Sequence, residues 1–355
     1  MVERKVNTVI VIAWHGLPIY ACNVIRAFRA RMDVASVHII TQLDNIPYAS
    51  REAHLGTQFI QCLSEDSGLT WSKLGLPIPQ VLFVTSWNHR GYNALAREVK
   101  RSGGSVVLMT DNIFHGSLKQ YLGAIWFRLC LRKRYDAAFV PGIKCKQFLQ
   151  FLGMPKDAIR IGLYAGDPAI FRDDGRQKNG EFVFVGQLIE RKGIKELVGA
   201  AKRLGILSRI TFYGDGDLRE WMHGEGCRIH GFIQPEELGE VLRSFSILLL
   251  PSRLDHWGVA LHEGALAGCS LIASDKTGAA FDLINDRHNG CIFLSGNSAA
   301  LEASLKWVLD QPTQWWQNAR LLSVQKAMAI TPENWAIVAE EICEKLLNKK
   351  LSIQS

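Results

Sequence analysis

The chain alternates short apolar runs with longer segments of helical periodicity, and this alternation is the feature that most restricts its fold. Each run in the first half is too short for a helix and lacks the polar alternation of a half-exposed strand, so each predicts a buried parallel strand. These runs are Val9–Ala13, Val37–Ile40, Val81–Thr85, Val106–Met109 and Ala137–Val140. Helical patterns such as Pro18–Arg31 and Arg90–Arg101 lie between them, whereas residues 41–79 show no clear pattern.

A second series of the same kind follows a polar, glycine-rich stretch at residues 166–180. Its predicted strands are Phe182–Val185, Arg209–Tyr213, Ile247–Leu250, Ser270–Ala273 and Cys291–Phe293, and its predicted helices are Gly193–Leu204, Pro235–Ser244 and Gly258–Ala267. Two such series predict an α/β protein with two doubly wound, Rossmann-like domains, which bind ligands at the carboxyl ends of their strands. We expect domains at 1–167 and 168–331, with a last amphipathic helix at 332–350 packing back on the first domain.

Composition excludes several classes of protein. The 355 residues are 48% hydrophobic and 21% charged, which is typical of a globular protein and excludes disordered and collagen-like chains. The eight Cys are scattered singly without a CxxC pair, which favours a reducing, cytoplasmic location over a disulfide scaffold or a zinc site. The apolar run near the start predicts a first strand rather than a signal peptide, because no small-residue cleavage site follows it.

Charge is divided unevenly along the chain. Residues 1–165 carry 20 Lys and Arg against 10 Asp and Glu, whereas residues 166–355 carry 21 against 24. A basic half predicts an anionic partner. The basic stretch Leu118–Arg134 permits two interpretations: a helix packed on the core with a solvated basic end, or a basic amphipathic helix lying on an anionic membrane. No recognisable nucleic-acid-binding motif accompanies the basic residues, so no nucleic-acid partner is expected.

Four segments of the second half carry the chemistry. They are Phe184–Gly193, Phe212–Asp217, His230–Glu236 and Leu249–Gly268. In the first, a strand end, a glycine turn and Lys192 precede a helix, an arrangement that favours phosphate binding. Asp215 and Asp217 in the second resemble a metal-chelating pair, but the glycines beside them fit a tight turn better and no third acid is suggested nearby. No metal site is therefore expected.

The fourth segment is the most informative. A strand ends at Pro251, a loop contains Asp255, and Gly258 opens a helix whose first N–H groups are free to bind an anion. Asp255 and Glu263 are eight residues apart, or roughly 12 Å if the chain between them were helical. Glycosidase carboxylates lie roughly 5–9.5 Å apart. The pair is therefore better spaced to hold opposite ends of a long ligand, with a diphosphate between them.

Taken in order, these segments resemble the retaining glycosyltransferases of family 4, in glycosyltransferase group 1. The family's acid-x7-acid element corresponds to Asp255-x7-Glu263, and the segments VGQLIERKG, YGDGD and LYAGDPAIF also match family motifs. The resemblance covers residues from about 160 to 294, and in the first half it extends only to general layout. It implies the GT-B fold, in which two Rossmann-like domains face a cleft.

The resemblance also implies roles for individual residues. Glu263 would hold the donor ribose, Asp255 the transferred sugar, and Lys192 the diphosphate. Catalytic residues would be Asp255, Glu263, Lys192 and Asp111, and donor-binding residues would be Gly16, Gly186, Gln187, Lys192, Phe232, Ile233, Asp255, Trp257, Gly258, Val259 and Glu263. Phe232 and Ile233 would lie near the nucleobase. Trp257 has a second interpretation, as a residue of the core.

The implied reaction moves a sugar from a nucleoside diphosphate sugar, such as a UDP or GDP sugar, to an acceptor hydroxyl with retention of configuration. No cofactor is required, and the acceptor would be a saccharide or lipid-linked saccharide of cell-surface polysaccharide, lipopolysaccharide or glycolipid assembly. The basic half suits an acceptor of this kind and a protein attached peripherally to the cytoplasmic membrane face through Leu118–Arg134.

Three departures from the family pattern leave alternatives open. Gln187 stands where the family usually has Arg, Asp255 is one methylene shorter than the usual Glu, and Asp111 stands near the family's first-domain His, for which His89 or His115 are substitutes. An inactive nucleotide-sugar-binding subunit is the main alternative. A nicotinamide-dependent oxidoreductase is a weaker one, because the first strand is followed by His15-Gly16-Leu17-Pro18 rather than by G-x-G-x-x-G.

Overall fold

A computed structural model describes residues 8–32, 37–44, 48–49, 51–62 and 68–354, with side chains to residue 348. It divides into two compact units. The first contains the described residues up to 141, residues 145–165 and the residues from 332 onward; the second contains residues 142–144 and 166–331. Each unit is built around one parallel sheet. None of the helices in the described part of the chain has the length and apolar composition needed to cross a membrane.

The first unit is built on a seven-stranded sheet in the order β3-β2-β1-β4-β5-β6-β7. The strands are β1 (Ile10–Ala13), β2 (Val37–Thr41), β3 (Ile60–Gln61), β4 (Val81–Thr85), β5 (Ser105–Met109), β6 (Ala137–Val140) and β7 (Ile159–Ile161). All the described strand pairs in it are parallel. Strands β1, β4, β5 and β6 are buried along their whole length, which explains their unbroken apolar sequences.

Six α-helices in the described part of the first unit flank this sheet. They are α1 (Ile19–Met32), α2 (Arg51–Leu55), α3 (Arg90–Arg101), α4 (Leu118–Trp126), α5 (Ile143–Phe151), whose first two residues belong to the second unit, and α14 (Pro332–Gln354). Helix α14 packs along α1. Its Trp335 is buried against Phe28 and Phe139 and donates an indole hydrogen bond to the Leu163 carbonyl at 2.9 Å. The end of the chain therefore completes the first core.

The second unit is built on a six-stranded parallel sheet in the order β10-β9-β8-β11-β12-β13. The strands are β8 (Phe182–Val185), β9 (Ile210–Tyr213), β10 (Arg228–His230), β11 (Ile247–Leu250), β12 (Ser270–Ser274) and β13 (Gly290–Phe293). Its helices are α6 (Pro168–Phe171), α7 (Ile194–Arg203), α8 (Arg219–Gly224), α9 (Pro235–Ser244), α10 (Val259–Leu266), α11 (Ala280–Leu283), α12 (Ser298–Leu309) and α13 (Thr313–Ala327). Both sheets have the strand order of the doubly wound fold, so the predicted α/β class is confirmed.

The segment Leu118–Arg134 corrects one sequence-based interpretation. It is not one helix: α4 ends at Trp126, a π-helical turn follows at Phe127–Leu131, and a 3₁₀ turn follows at Arg132–Arg134. The stripe that contains Leu122, Ile125 and Trp126 is exposed, so it does not pack on the core. Helical periodicity identifies an apolar stripe, but it does not say which of two stripes faces the core.

Candidate active site

The strand order of the second unit locates the candidate site. The order in which successive strands are added to the sheet reverses between β8 and β11. These two strands are neighbours in the sheet, although 61 residues separate the end of β8 from the start of β11. Ligands of doubly wound folds bind at such a switch point, beyond the carboxyl ends of the strands. Two loops begin there: residues 186–193 after β8 and residues 251–258 after β11. These are two of the four segments that the sequence singles out.

Three contacts join these two loops. Arg191 donates from Nη1 to the Leu254 carbonyl at 2.7 Å, and the Arg253 amide donates to the Arg191 carbonyl at 2.8 Å. Beside them, Lys192 Nζ lies 2.5 Å from Asp255 Oδ2, and only 13% and 12% of these two side chains are exposed. The loops therefore hold a mostly buried cation at the switch point, fixed by a carboxylate.

Glycines allow the loops to approach this closely. Gly193 has φ +69°, and a Cβ on it would lie 2.0 Å from the Pro251 carbonyl oxygen. The Phe212–Asp217 segment supports the first loop in the same way, because a Cβ on Gly214 would lie 1.9 Å from the Gly186 oxygen. This second segment therefore acts through close backbone packing against the first.

Helix α10 begins beside Asp255. Gly258 occupies its N-cap position at φ +92°, and no side chain caps the helix. The first N–H groups of a helix have no partner within it, and the helix dipole adds partial positive charge at this end. Val259 and Ala260 are half-buried rather than covered. Helix N-terminus and Lys192 together have the composition of a phosphate site.

Glu263 lies in the next turn of α10. It is half-buried, and burial raises the pKa of its carboxyl to about 7. Among the described residues, none donates a hydrogen bond to that carboxylate or pairs with it. Gly166 lies against it, since a Cβ on Gly166 would come within 3.6 Å of the Glu263 Cγ. A partly open carboxylate without a donor is suited to accept hydroxyl groups from a ligand.

His262 fixes the helix that carries Glu263. It is fully buried, its Nδ1 accepts the Gly166 N–H at 2.8 Å, and its Nε2 donates to the Ala327 carbonyl at 2.9 Å. Because Nδ1 accepts, the ring is neutral with its proton on Nε2. Burial lowers the pKa of His262 to about 4. His262 thus has a structural role, joining α10 to the start of the unit and to the end of α13.

The other predicted donor residues of the second unit differ in exposure. Phe232 is 44% exposed and Ile233 is half-buried, both after β10. Gln187 is exposed in the loop after β8, while Gly186 is half-buried and donates its N–H to the Tyr213 carbonyl. Trp257 is buried, and its indole N–H has no partner among the described residues. Its ring therefore belongs to the core.

The first unit contains Gly16 and Asp111. Gly16 has φ +78°, its N–H donates to the Gln42 carbonyl at 2.8 Å, and a Cβ there would lie 2.7 Å from Asp44 Oδ2. Burial raises the pKa of Tyr164. The Asp111 carboxylate, which is hydrogen-bonded to the Tyr164 hydroxyl, raises it further. Asp111 follows β5 closely, at the carboxyl end of a parallel strand.

The two histidines named as substitutes for Asp111 are not equivalent. His89 is buried at the N-cap of α3, where its Nδ1 accepts the Tyr92 N–H at 3.1 Å and its Nε2 contacts Gln42 Oε1 at 2.8 Å. Both ring nitrogens are therefore engaged in holding the fold. His115 is exposed.

Two sets of contacts in the site were not anticipated from the sequence. The direct pairing of Lys192 with Asp255 joins residues 63 positions apart, and a prediction of it requires β8 and β11 to be neighbours. The sequence favours a structural role for His262, but its hydrogen bonds have no signal there, because its partners are backbone groups. Across the described ranges, no group of three or more His, Cys, Asp or Glu side chains is placed to hold a metal ion.

Part of the second unit is similar in sequence to known proteins. Residues 168–322 match the family model described as glycosyl transferases group 1. Glycogen synthase from Mycobacterium tuberculosis is 27% identical over 151 residues, which are 39% of this chain and 36% of that protein. The chain thus spans about a third of the length of this curated relative.

Solved structures extend the similarity to nearly the whole fold. A glycosyltransferase from Rickettsia africae has a TM-score of 0.73 at 12% identity, covering 96% of this chain and 99% of its own. HepE from Anabaena, solved in complex with UDP and glucose, has a TM-score of 0.73 at 13% identity, covering 96% and 100%. The chain thus has the GT-B fold, and its second unit is similar in sequence to glycosyl transferases group 1 over residues 168–322.

Proposed function

We propose that this protein is a retaining glycosyltransferase of family 4, of the hexosyltransferase type. It moves a sugar from a nucleoside diphosphate sugar to an acceptor hydroxyl. The observation that carries the proposal is the buried Lys192–Asp255 pair beside the uncapped N-terminus of α10, at the switch point of the second sheet. The cation and the free backbone N–H groups suit the diphosphate of such a donor, and the carboxylate suits the hydroxyl groups of its sugar.

The diphosphate binds at the start of α10. The N–H groups of Gly258 and Val259 donate to its oxygens, and Lys192 neutralises its charge. In the free protein Asp255 already balances Lys192 at 2.5 Å, so the diphosphate shares this cation with a carboxylate. Charge-assisted hydrogen bonds of this kind contribute about 1.5–3 kcal/mol each. They matter most in the transition state, when the departing diphosphate gains charge.

The nucleoside binds through Glu263 and the residues after β10. The open Glu263 carboxylate accepts hydrogen bonds from the ribose hydroxyls, and the exposed Phe232 ring with Ile233 contacts the base. UDP and GDP are both compatible with this arrangement. HepE was solved with UDP and with UDP-glucose, which favours a UDP sugar as the first donor to test.

Asp255 and Asp111 are the two residues that this proposal assigns to the chemistry. Asp255 accepts from hydroxyls of the transferred sugar while it holds Lys192. Asp111, beyond β5 in the first unit, takes the place of the first-domain histidine that the family resemblance implies. Proximity and orientation supply much of the rate in such transfers, so neither group needs to be a strong base. The acceptor is a saccharide or a lipid-linked saccharide, and the reaction takes place in the cytoplasm.

A catalytically inactive nucleotide-sugar-binding subunit is the second candidate. The observation in its favour is that Asp111 is hydrogen-bonded to the Tyr164 hydroxyl and so is not free in the way a catalytic base would be. Such a subunit would bind the same donors at the same site. Only turnover separates the two functions.

The test is a panel of nucleotide sugars scored on the full chain by thermal shift and by slow hydrolytic release of nucleoside diphosphate. We expect one donor to raise the melting temperature and to be hydrolysed. Glu263→Ala should lose both effects, whereas Glu237→Ala, an exposed acid on α9, should keep them. Binding without release, in the presence of acceptors, would identify an inactive subunit. No binding of any nucleotide sugar would contradict both functions.

A further inference from the structure

Helix α4 and the π-helical turn that follows it leave an apolar surface uncovered on the first unit. We call this surface the outer stripe; its residues are Leu118, Tyr121, Leu122, Ile125, Trp126 and Leu129. Each has between 48% and 79% of its side chain exposed. The positions follow one another at helical spacing, so they form one continuous face.

The protein covers the opposite face of the same segment. Ala124, Phe127 and Leu131 are buried. The segment is therefore apolar on two sides, and the core accounts for only one of them. Phe114 extends the outer stripe, since its ring is 40% exposed and lies 5.4 Å from the ring of Tyr121. An exposed apolar surface of this continuity marks a docking site.

The charges around the outer stripe indicate what docks there. Residues 112–134 contain five Lys and Arg and no Asp or Glu. Lys119 and Arg128 are exposed next to Leu118 and Leu129, at the two ends of the stripe, and Lys133 is exposed beyond it. Apolar side chains edged by cations match an anionic bilayer surface, where the chains enter the acyl boundary and the cations meet headgroups.

The surface is preformed. The Arg128 guanidinium donates to the Phe151 carbonyl, and the Arg132 guanidinium donates to the Gly153 and Tyr135 carbonyls. These bonds fix the π and 3₁₀ turns to the body of the unit. Docking therefore requires no folding of the segment. A second copy of the chain is a poorer occupant, because it would bring the same cations face to face.

We propose that the outer stripe docks the first unit on an anionic lipid surface. Tyr121 and Trp126 lie at the depth of the headgroups, where amphipathic aromatic rings are favoured. The stripe is about 17 Å long at 1.5 Å per residue, so the segment lies in the plane of the surface. If the proposed glycosyl transfer is correct, docking of this kind favours an acceptor carried on a lipid; Asp111 is three residues from Phe114 in the chain.

Vesicle flotation of the full chain, without any nucleotide sugar, tests this surface. The probes are vesicles of phosphatidylcholine alone and of an equimolar mixture with phosphatidylglycerol. We expect binding to the anionic vesicles only, and weaker binding at high salt. In the double variant Leu122→Glu, Leu129→Glu, the fraction of protein bound to the anionic vesicles should fall about tenfold or more relative to the wild type. Leu321→Glu is the control, because this leucine is 69% exposed on α13 of the second unit.

Three outcomes would overturn the proposal. The first is that the wild-type chain fails to float with anionic vesicles, the second is that the double variant floats equally well, and the third is that the wild type is a dimer while the double variant is a monomer. The third would assign the surface to self-association. The thermal shift produced by a nucleotide sugar should be the same in the double variant and the wild type. Failure of the membrane proposal is thereby separated from failure of the proposed enzyme activity.

Discussion

Glu263 is the residue on which the account of the donor depends most. A half-buried carboxyl that accepts no hydrogen bond is costly to ionise, and burial raises the pKa of Glu263 to about 7. In the unfolded chain a Glu titrates near its ordinary value of 4.5. Between these two values the folded protein binds more protons than the unfolded chain, so this carboxyl favours folding increasingly as the pH falls from 7 to 5.

This difference predicts a specific effect of Glu263→Gln. On acidification from pH 7 to pH 5, the unfolding free energy of the wild type should rise relative to that of the variant by about 1–2 kcal/mol. Urea unfolding of both proteins at the two pH values measures it. His262, whose pKa is lowered to about 4 and which titrates in the opposite sense, is present in both proteins and cancels. A constant difference between the two proteins would mean that the Glu263 pKa is not raised.

Residue identity was the most predictable part of the site, and residue pairing the least. The spacing Asp255-x7-Glu263 and the Lys192-Gly193 helix start are local patterns, so they are visible in the sequence. The contact of Lys192 with Asp255 depends on two strands being neighbours across a crossover. Local pattern does not specify that adjacency, although the doubly wound strand order does once it is assumed.

At the scale of elements, close backbone approach holds the two site loops together. Gly193 and Gly205 both have φ +69°, but a Cβ on Gly193 would meet the Pro251 oxygen at 2.0 Å, whereas nothing lies within 4 Å of one on Gly205. Both substitutions to Ala incur the conformational strain of a left-handed residue, about 1 kcal/mol. Only the substitution at Gly193 forces the loops after β8 and β11 apart.

Gly193→Ala should therefore destabilise the protein by about 3 kcal/mol or more, against about 1 kcal/mol for Gly205→Ala. Chemical unfolding measures both values. Because Lys192 precedes Gly193, the first variant should also lose the thermal shift produced by a nucleotide sugar, and the second should keep it. Equal losses in the two variants would show that the approach of the two loops is unimportant.

Strands were predicted better than helices at this scale. Fully buried parallel strands are continuous apolar runs, and the run from Ile247 to Leu250 matches its strand residue for residue. The short β3 and β7 were missed because two or three residues carry no pattern. Helices α12 and α13 were missed as well. The segment after Leu118 is interrupted by a π-helical turn, which its sequence pattern does not predict.

At the scale of the whole molecule, the first unit depends on residues from the far end of the chain. Trp335 on α14 is 1% exposed and contributes both packing and a hydrogen bond to the Leu163 carbonyl. Trp335→Ala should cost the first unit about 3–5 kcal/mol, because it opens a large cavity. Amide hydrogen exchange should then accelerate in α1, which α14 covers, and not in α12 of the second unit.

Trp315→Ala is the matched control for that experiment. Trp315 lies on α13, and its indole donates to the Arg287 carbonyl at 2.9 Å, but it is only half-buried and belongs to the second unit. Its loss should leave exchange in α1 unchanged. Acceleration of α1 by both variants, or by neither, would contradict the assignment of α14 to the first core.

The uneven distribution of charge between the two halves of the chain is a whole-molecule property that can be counted directly from the sequence. The excess of cations in residues 1–165 predicts an anionic partner for the first unit. Which surface meets that partner could not be predicted, because burial decides it. Leu129 and Leu131 are equally apolar in sequence, yet one is 79% exposed and the other 3%.

A crystal structure of the chain with UDP tests the central claim most directly. We predict the diphosphate at the start of α10, hydrogen-bonded to the Val259 amide and to Lys192, with the ribose hydroxyls on the Glu263 carboxylate. A nucleotide bound at any other position, or one that leaves Glu263 without a hydroxyl partner, would contradict the account.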